Sequence, residues 1–373
     1  MKEVNTPPKK RRIFELDLLR GLFVVIIIID HLQLWPSPLR YITGEGRLWV
    51  TAAEGFFLIS GLLIGYIRGF KSRHKPLKEV STLLAKRAAM LYAWGVGITF
   101  AVLLFTHLHG WHDALPDLPT KEQMASVLSV GWAVTSTEYF SPWIYFLRLY
   151  AIMLLITPLF LWLLRRKKDY IIIGLMAAAY WLSAYVYEAA LQWQLLFFGA
   201  ALIGYRLEAI VAWLQRHPYV RTAAIAGLLA ATAITMYASY FFTHGWHKVE
   251  DPNWNVVSFD EYLAVRQVIA PYVTIDPLTL TRIALSFVWF GGLLVAFRLL
   301  RPVVLRLFGW LLLPLGQRSL SAYCLQALLL PMVVVTIAPK VDMPWVNAVV
   351  ALVVVLIIWG LLRIPLVQKI IPQ

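Results

Sequence analysis

A single cysteine, Cys324, is all the chain carries. No internal disulfide can form, and a thiolate metal cluster would need several more. Charge is the second scarcity. Asp, Glu, Lys and Arg make up 14% of the 373 residues, against about 25% in an average soluble domain. Low-complexity tracts are missing, and the only stretch that reads as disordered is the basic, proline-containing head at 1–13. Apolar surface is what the chain has in abundance. It is 60% hydrophobic, with a mean hydropathy of +0.70. A soluble protein of this length has no interior able to hide so much, whereas a bilayer covers it from outside.

Runs of roughly 20 mostly apolar residues mark segments long enough to cross the hydrocarbon core. They lie near 14–35, 48–69, 86–107, 142–164, 169–187, 189–206, 221–243, 281–299, 318–338 and 345–366. The expectation is an all-α polytopic integral membrane bundle of about ten transmembrane helices. Segment 301–316 is apolar but short, ends near Pro314 and Gly316, and reads as re-entrant or interfacial. Glu188 alone separates the fifth run from the sixth. The first run follows a KKRR head but has no small-residue cleavage site, so it reads as a span and not as a signal peptide.

The net charge of +14 suggests nucleic acid until its distribution is read. With the N-terminus inside, ten spans put 25 of the 34 Lys and Arg on the cytoplasmic side. They fall in the head, the loop from Arg68 to Arg87, the cluster 165–168, and the later inner turns, Arg318 among them. The outer loops hold Asp113, Asp117, Glu122, Asp251 and Asp260 instead. This is the positive-inside pattern. It implies both termini in the cytoplasm, a multi-pass protein of a bacterial plasma membrane, lipids as partners and no nucleic acid. A homo-oligomer stays open. Two long outer loops, 108–141 and 244–280, begin alike, with FTHLHGWH at 105–112 and FTHGWH at 242–247. Their HGWH segments can supply histidines to a metal, but imidazoles at a sugar-binding or headgroup surface explain them as well. No metal is expected.

Charge inside a span is a functional hypothesis by default. The first span carries Asp17, Arg20, Asp30 and His31. Arg20 and His31 are eleven residues apart, three turns plus about 20°, so they share one face with a rise of ~16 Å. Asp30 points about 100° away from His31. Glu54, in the second span, and Arg148, in the fourth, are expected near the depth of His31. The three would then form one buried polar cluster, with Glu54 orienting the imidazole. Plainer readings stand beside these. Arg20 can snorkel to headgroups, His31 can be an interfacial histidine, and Glu54 with Arg148 can be a structural ion pair. The basic first inner loop is explained by topology, with phosphate binding as a second reading.

These residues carry a family resemblance. Arg20-x10-His31 within FELDLLRGLFVVIIIIDH resembles the opening motif of the membrane acyltransferase-3 superfamily. AAEGFFLISGLLIG at 52–65 resembles its second-helix motif, with Glu54 on the acidic position. LQWQLLFFGAALIGYR at 191–206 and LGQRSLSAYCLQ at 315–326 are similar to the OpgC-type branch, whose named members succinylate periplasmic glucans. Gln326 stands where that pattern leads one to expect histidine, and Tyr323 where it has phenylalanine.

The resemblance implies a single transmembrane acyltransferase domain over 14–366, with a short cytoplasmic tail at 367–373. It implies an acyl-CoA co-substrate, succinyl-CoA or acetyl-CoA, and a glycan hydroxyl as acceptor beyond the membrane. His31 would be the general base. Arg148 is a candidate for the thioester oxyanion. Arg20 would hold the donor near the inner face, with Arg68, Arg73, Arg87 and Arg318 as further candidates for its phosphates. The ~16 Å between Arg20 and His31 is close to the length of an extended pantetheine arm. Two other function classes compete. A transporter or flippase would use the intramembrane charges as a pathway, but no inverted repeat or pair of broken helices supports it. A non-catalytic scaffold would leave the polar groups of the first span dispensable.

Overall fold

The computed structural model describes residues 14–109, 119–120, 122–251, 253–254, 256–337, 340 and 342–371. Every regular element among them is helical, as the long apolar runs require in a bilayer, where backbone groups must be satisfied within the segment. The helices of the bundle are α1 (Phe14–Leu32), α2 (Ala52–Leu63), α3 (Leu77–His109), α4 (Tyr145–Arg165), α5 (Asp169–Leu182), α6 (Ala189–Tyr205), α7 (Leu207–Arg216), α8 (Pro218–His244), α9 (Leu280–Leu299), α10 (Arg301–Gln317), α11 (Ser319–Thr336) and α12 (Pro344–Leu361). α2 continues as a π-helical stretch, Ile64–Lys71. The head at 1–13 and the HGWH segment from Gly110 lie outside the described residues.

Six helical segments are long and apolar enough to cross a membrane, and a seventh is the bent pair α6–α7, which turns by 59° between its halves. The multi-pass reading therefore stands, while a count of ten is not reached. The shortfall has a local cause in each case. α1 is 19 residues long but carries Glu15, Asp17, Arg20 and Asp30. α5 has only 14 residues, because its helix ends at Leu182 well before Glu188. α11 has a described apolar stretch of only Ser319–Val334. Segment 301–316 lies in one continuous helix, Arg301–Gln317, of 17 residues. α3 starts nine residues before the apolar run, directly after Pro76, and reaches 33 residues. At 1.5 Å per residue it is ~50 Å long, well beyond the ~30 Å hydrocarbon core.

α1 is the hub. It packs on α2, α9, α10, α11 and α12, and its buried residues occupy most of its circumference, from Leu16 and Leu18 to Ile29 and Leu32. Two crossings are close enough to exclude side chains. At the α1–α10 crossing a Cβ on Gly316 would lie 1.7 Å from the Asp17 carbonyl oxygen, and one on Gly21 would lie 2.0 Å from the Leu312 carbonyl oxygen. At the α2–α6 crossing Gly61 and Gly65 lie against the carbonyls of Phe197 and Ala201 in the same way. Small residues four apart let backbones touch in lipid, where dispersion replaces the hydrophobic drive. These contacts fix α1 against α10 and α2 against α6.

Candidate functional site

A cavity of about 150 Å³ opens between α1, α2, α3, α4 and the α10–α11 junction. One end of its lining is cationic, with Arg20, Arg87 and Arg318 beside Gln317 and Ser319. The other end is apolar, with Ile27, Ala53, Phe56, Phe57, Phe146 and Leu147. Ser60, Tyr150, Leu320 and Tyr323 complete it, and among the described residues no Asp or Glu lines it. Arg318 is anchored by a hydrogen bond from Nη1 to the Leu362 carbonyl. Arg20 Nε is buried without a hydrogen-bond partner, and the Tyr323 hydroxyl lies against the Phe146 backbone. Arg20 is repelled by Arg87 and attracted by the Asp17 carboxylate, across a medium that screens poorly. The three guanidiniums of this wall favour an anion, and the unpaired Arg20 Nε–H is suited to an oxygen acceptor.

Three of the five basic candidates, Arg20, Arg87 and Arg318, thus meet in one space. Arg68 and Arg73 do not line it. Arg73 lies over the Phe70 ring at 4.4 Å and its Nε meets His74 Nε2 at 3.1 Å. Both arginines belong to the segment that follows α2, and Arg165 holds this segment through the Ser72 and Lys75 carbonyls. Arg20 and Ile27 both face the cavity from α1, and His31 follows Ile27 by four residues on the same stripe. The stripe inferred from helical spacing is therefore the wall that continues toward His31.

The expected cluster of His31, Glu54 and Arg148 does not form. Each of the three has a different partner. The Glu54 carboxylate takes Arg282 Nε at 2.5 Å on one oxygen, and the Thr51 backbone N–H at 3.0 Å and hydroxyl at 2.6 Å on the other. Its side chain is fully buried and that of Arg282 is 5% exposed. Arg282 also donates to the carbonyls of Val273 and Leu48, at 3.0 and 3.4 Å. The pair therefore ties α2, α9 and two loops together. Arg148 Nη2 donates to Glu188 at 2.8 Å, and its guanidinium sits 5.7 Å from the Tyr145 ring centroid. Glu54 lies at a different depth from His31 for a local reason. α2 begins only at Ala52, and Gly55 lies against the Phe23 ring. Phe23 precedes His31 by eight residues, about 12 Å along the axis. Glu54 is therefore well short of His31.

His31 instead meets Gln326 of α11, whose Nε2 lies 3.2 Å from His31 Nδ1. Sequence reasoning noticed Gln326 only as a departure from a pattern. Arg282 went unremarked, although it is a charge within an apolar run and the rule for intramembrane charges reaches it. Glu188 was read as a separator between spans and serves as the partner of Arg148. Of the histidines in the two HGWH segments, His244 bonds the Gly44 carbonyl at 3.1 Å. No group of three metal-ligating side chains occurs among the described residues. The segment between α1 and α2 is held to α8 by Trp49 N–H to Ser239 Oγ at 2.9 Å and Tyr240 hydroxyl to the Arg40 carbonyl at 2.8 Å.

No curated protein and no solved structure matches this chain. The family described as OpgC protein does, over residues 12–365. That stretch includes every helix that builds the cavity, and the chain belongs to the OpgC family.

Proposed function

We propose that the protein is a membrane O-acyltransferase that moves a succinyl or acetyl group from cytoplasmic acyl-CoA to a hydroxyl of an envelope or periplasmic glycan. The observation that carries this reading is the cavity, cationic at the Arg20 end of α1 and apolar along the face that leads to His31. A volume near 150 Å³ holds a benzene-sized group, so it suits the acyl end of the donor and not the whole nucleotide. In this reading Arg20, Arg87 and Arg318 hold the donor's anionic groups, a terminal carboxylate or the inner phosphates. Arg68 and Arg73 receive the nucleotide at the cytoplasmic mouth.

His31 takes the proton of the acceptor hydroxyl as its oxygen attacks the thioester carbonyl. The carbon–sulfur bond breaks, the ester forms, and the thiolate leaves as free CoA after taking up a proton. A placed base contributes about 10²–10⁴-fold to such a step. The phenolic hydroxyl of Tyr323 is a donor suited to the developing oxyanion, a role for which Arg148, bonded to Glu188, is poorly placed. The membrane separates donor from acceptor, and α1 carries the groups that serve each side.

The test is free-thiol release from succinyl-CoA and acetyl-CoA by the purified protein in nanodiscs, with glucan acceptors. His31→Ala should abolish acceptor-dependent release in a folded protein. Arg87→Gln should raise the donor KM more than it lowers kcat. Equal turnover by wild type and His31→Ala rejects the reading.

A further inference from the structure

Gln326 is fully buried, and its neighbours along α11 are Ala322, Cys324, Leu325, Ala327 and Leu330, all buried. A primary amide among such residues is costly unless it is hydrogen-bonded. Its partner is the His31 ring, with 3.2 Å between Gln326 Nε2 and His31 Nδ1, while Gln326 Oε1 is buried without a partner. The contact joins α11 to α1 one turn beyond Ile27, where the cavity wall ends. On the same helix Tyr323 lines the cavity itself. The two positions that depart from the family's pattern therefore both put polar atoms at the site.

Among the described residues no carboxylate takes this place. Around the outer end of α1, Asp30 bonds Thr43, Glu45 faces Arg40 and Arg47, and Glu54 holds Arg282. α12 offers Asn347, which bonds the Pro36 carbonyl. Asp342, in the loop before α12, is exposed. Arg301 of α10 pairs with Glu15 at the opposite end of α1, and Arg318 is anchored at the α10–α11 junction.

We infer that Gln326 is the positioning residue of His31, fixing the ring and the nitrogen on which it carries its proton. The inference rests on the acyltransferase reading for its consequence, though not for its geometry. An amide can offer Nδ1 either a donor or an acceptor. With Nε2–H toward Nδ1, the ring proton sits on the other nitrogen and the imidazole cannot take a proton there. With Oε1 toward Nδ1–H, the ring's Nε2 keeps its lone pair for the hydroxyl. A half-turn about the last side-chain bond exchanges the two arrangements. The exchange is even, because in both one end of the amide bonds the ring and the other is unpaired. Base catalysis selects the second arrangement. A neutral amide sets the tautomer without adding the negative charge that a carboxylate would bring.

Two measurements test this in the full-length protein in nanodiscs. In the first, Gln326→Leu should lower kcat by between about tenfold and the ~10²–10⁴-fold that a placed base contributes, with donor and acceptor KM within about twofold. Gln326→Glu should recover most of kcat and move the acidic limb of its pH profile upward, because a carboxylate on Nδ1–H makes the ring more basic. The second is ¹⁵N NMR of histidine-labelled protein, with the His31 signal assigned by its loss in His31→Ala. With donor analogue bound, the wild type should carry its proton on Nδ1, and Gln326→Leu should lose that preference. A wild-type ring protonated on Nε2, an unchanged tautomer in Gln326→Leu, or an unchanged kcat overturns the inference. If the tautomer depends on Gln326 but the wild type turns over no acyl-CoA, the acyltransferase reading fails and the positioning contact stands. If turnover needs His31 but neither measurement responds to Gln326, the reverse holds.

Discussion

Glu54 occupies a motif position that invites a catalytic role, and the structure gives it a different task that can be measured. Its carboxylate is shared between the start of α2, through Thr51, and Arg282 on α9, and both side chains are almost wholly removed from solvent. Deleting one member of a buried ion pair strands the other charge at about 3–5 kcal/mol. At 1.4 kcal/mol per tenfold, that is roughly two to three and a half orders of magnitude in the folding equilibrium. Glu54→Gln keeps the shape and the bonds to Thr51 while stranding the Arg282 guanidinium, so it should fall in this range. Arg282→Met should do the same from the other side. Glu54→Gln with Arg282→Met removes both charges and should destabilise far less than the sum of the singles. The expected coupling is about 2–5 kcal/mol, well above the additivity error of ~0.5 kcal/mol for independent sites. The assay is equilibrium unfolding in mixed micelles, with thiol release measured on each folded variant. A Glu54→Gln protein within about 1 kcal/mol of wild type refutes the structural assignment, because a buried unpaired charge cannot be that cheap. Full stability together with lost turnover would return Glu54 to the chemistry.

Two further outcomes follow from packing and orientation. Gly316→Ala forces a Cβ to 1.7 Å from the Asp17 carbonyl oxygen, so it should destabilise by at least the ~1–3 kcal/mol of ordinary overpacking. Gly227→Ala on α8 meets nothing within 4 Å and should be neutral or stabilising by up to about 1 kcal/mol through helix propensity; thermal unfolding of the two variants side by side is the check. For orientation, Cys324→Ser gives a cysteine-free background. In it His74→Cys should react with an impermeant maleimide only from the cytoplasmic side and Thr120→Cys only from outside; the opposite labelling would reverse the topology.

Much of this was legible before any coordinates. The lipid environment was readable because too little charge and too much apolar surface leave a chain of this size no soluble solution. The asymmetry of Lys and Arg, a property of loops and not of contacts, carries an expected orientation, which the labelling experiment tests. The Arg20–His31 stripe was readable because helical periodicity is local, and Arg20 indeed faces the cavity along the wall that leads to His31. The motifs carried the family over nearly the whole length.

Partnership was what the sequence could not supply. Span length does not reveal axial offset between helices, and an error of two turns was enough to set Glu54 beside His31 in expectation and beside Arg282 in fact. Backbones touch at Gly21 and Gly316 and at Gly61 and Gly65, and such contacts join residues more than a hundred positions apart. Nor does apolar composition show which short helices reach across a bilayer, so the count of ten dissolved into six segments and a bent pair. Residues that serve one helix are written in its own periodicity. The meeting of Gln326 with His31, like the gathering of Arg87 and Arg318 around Arg20, exists only once α1 is packed among its neighbours, because only packing brings distant side chains within hydrogen-bond reach.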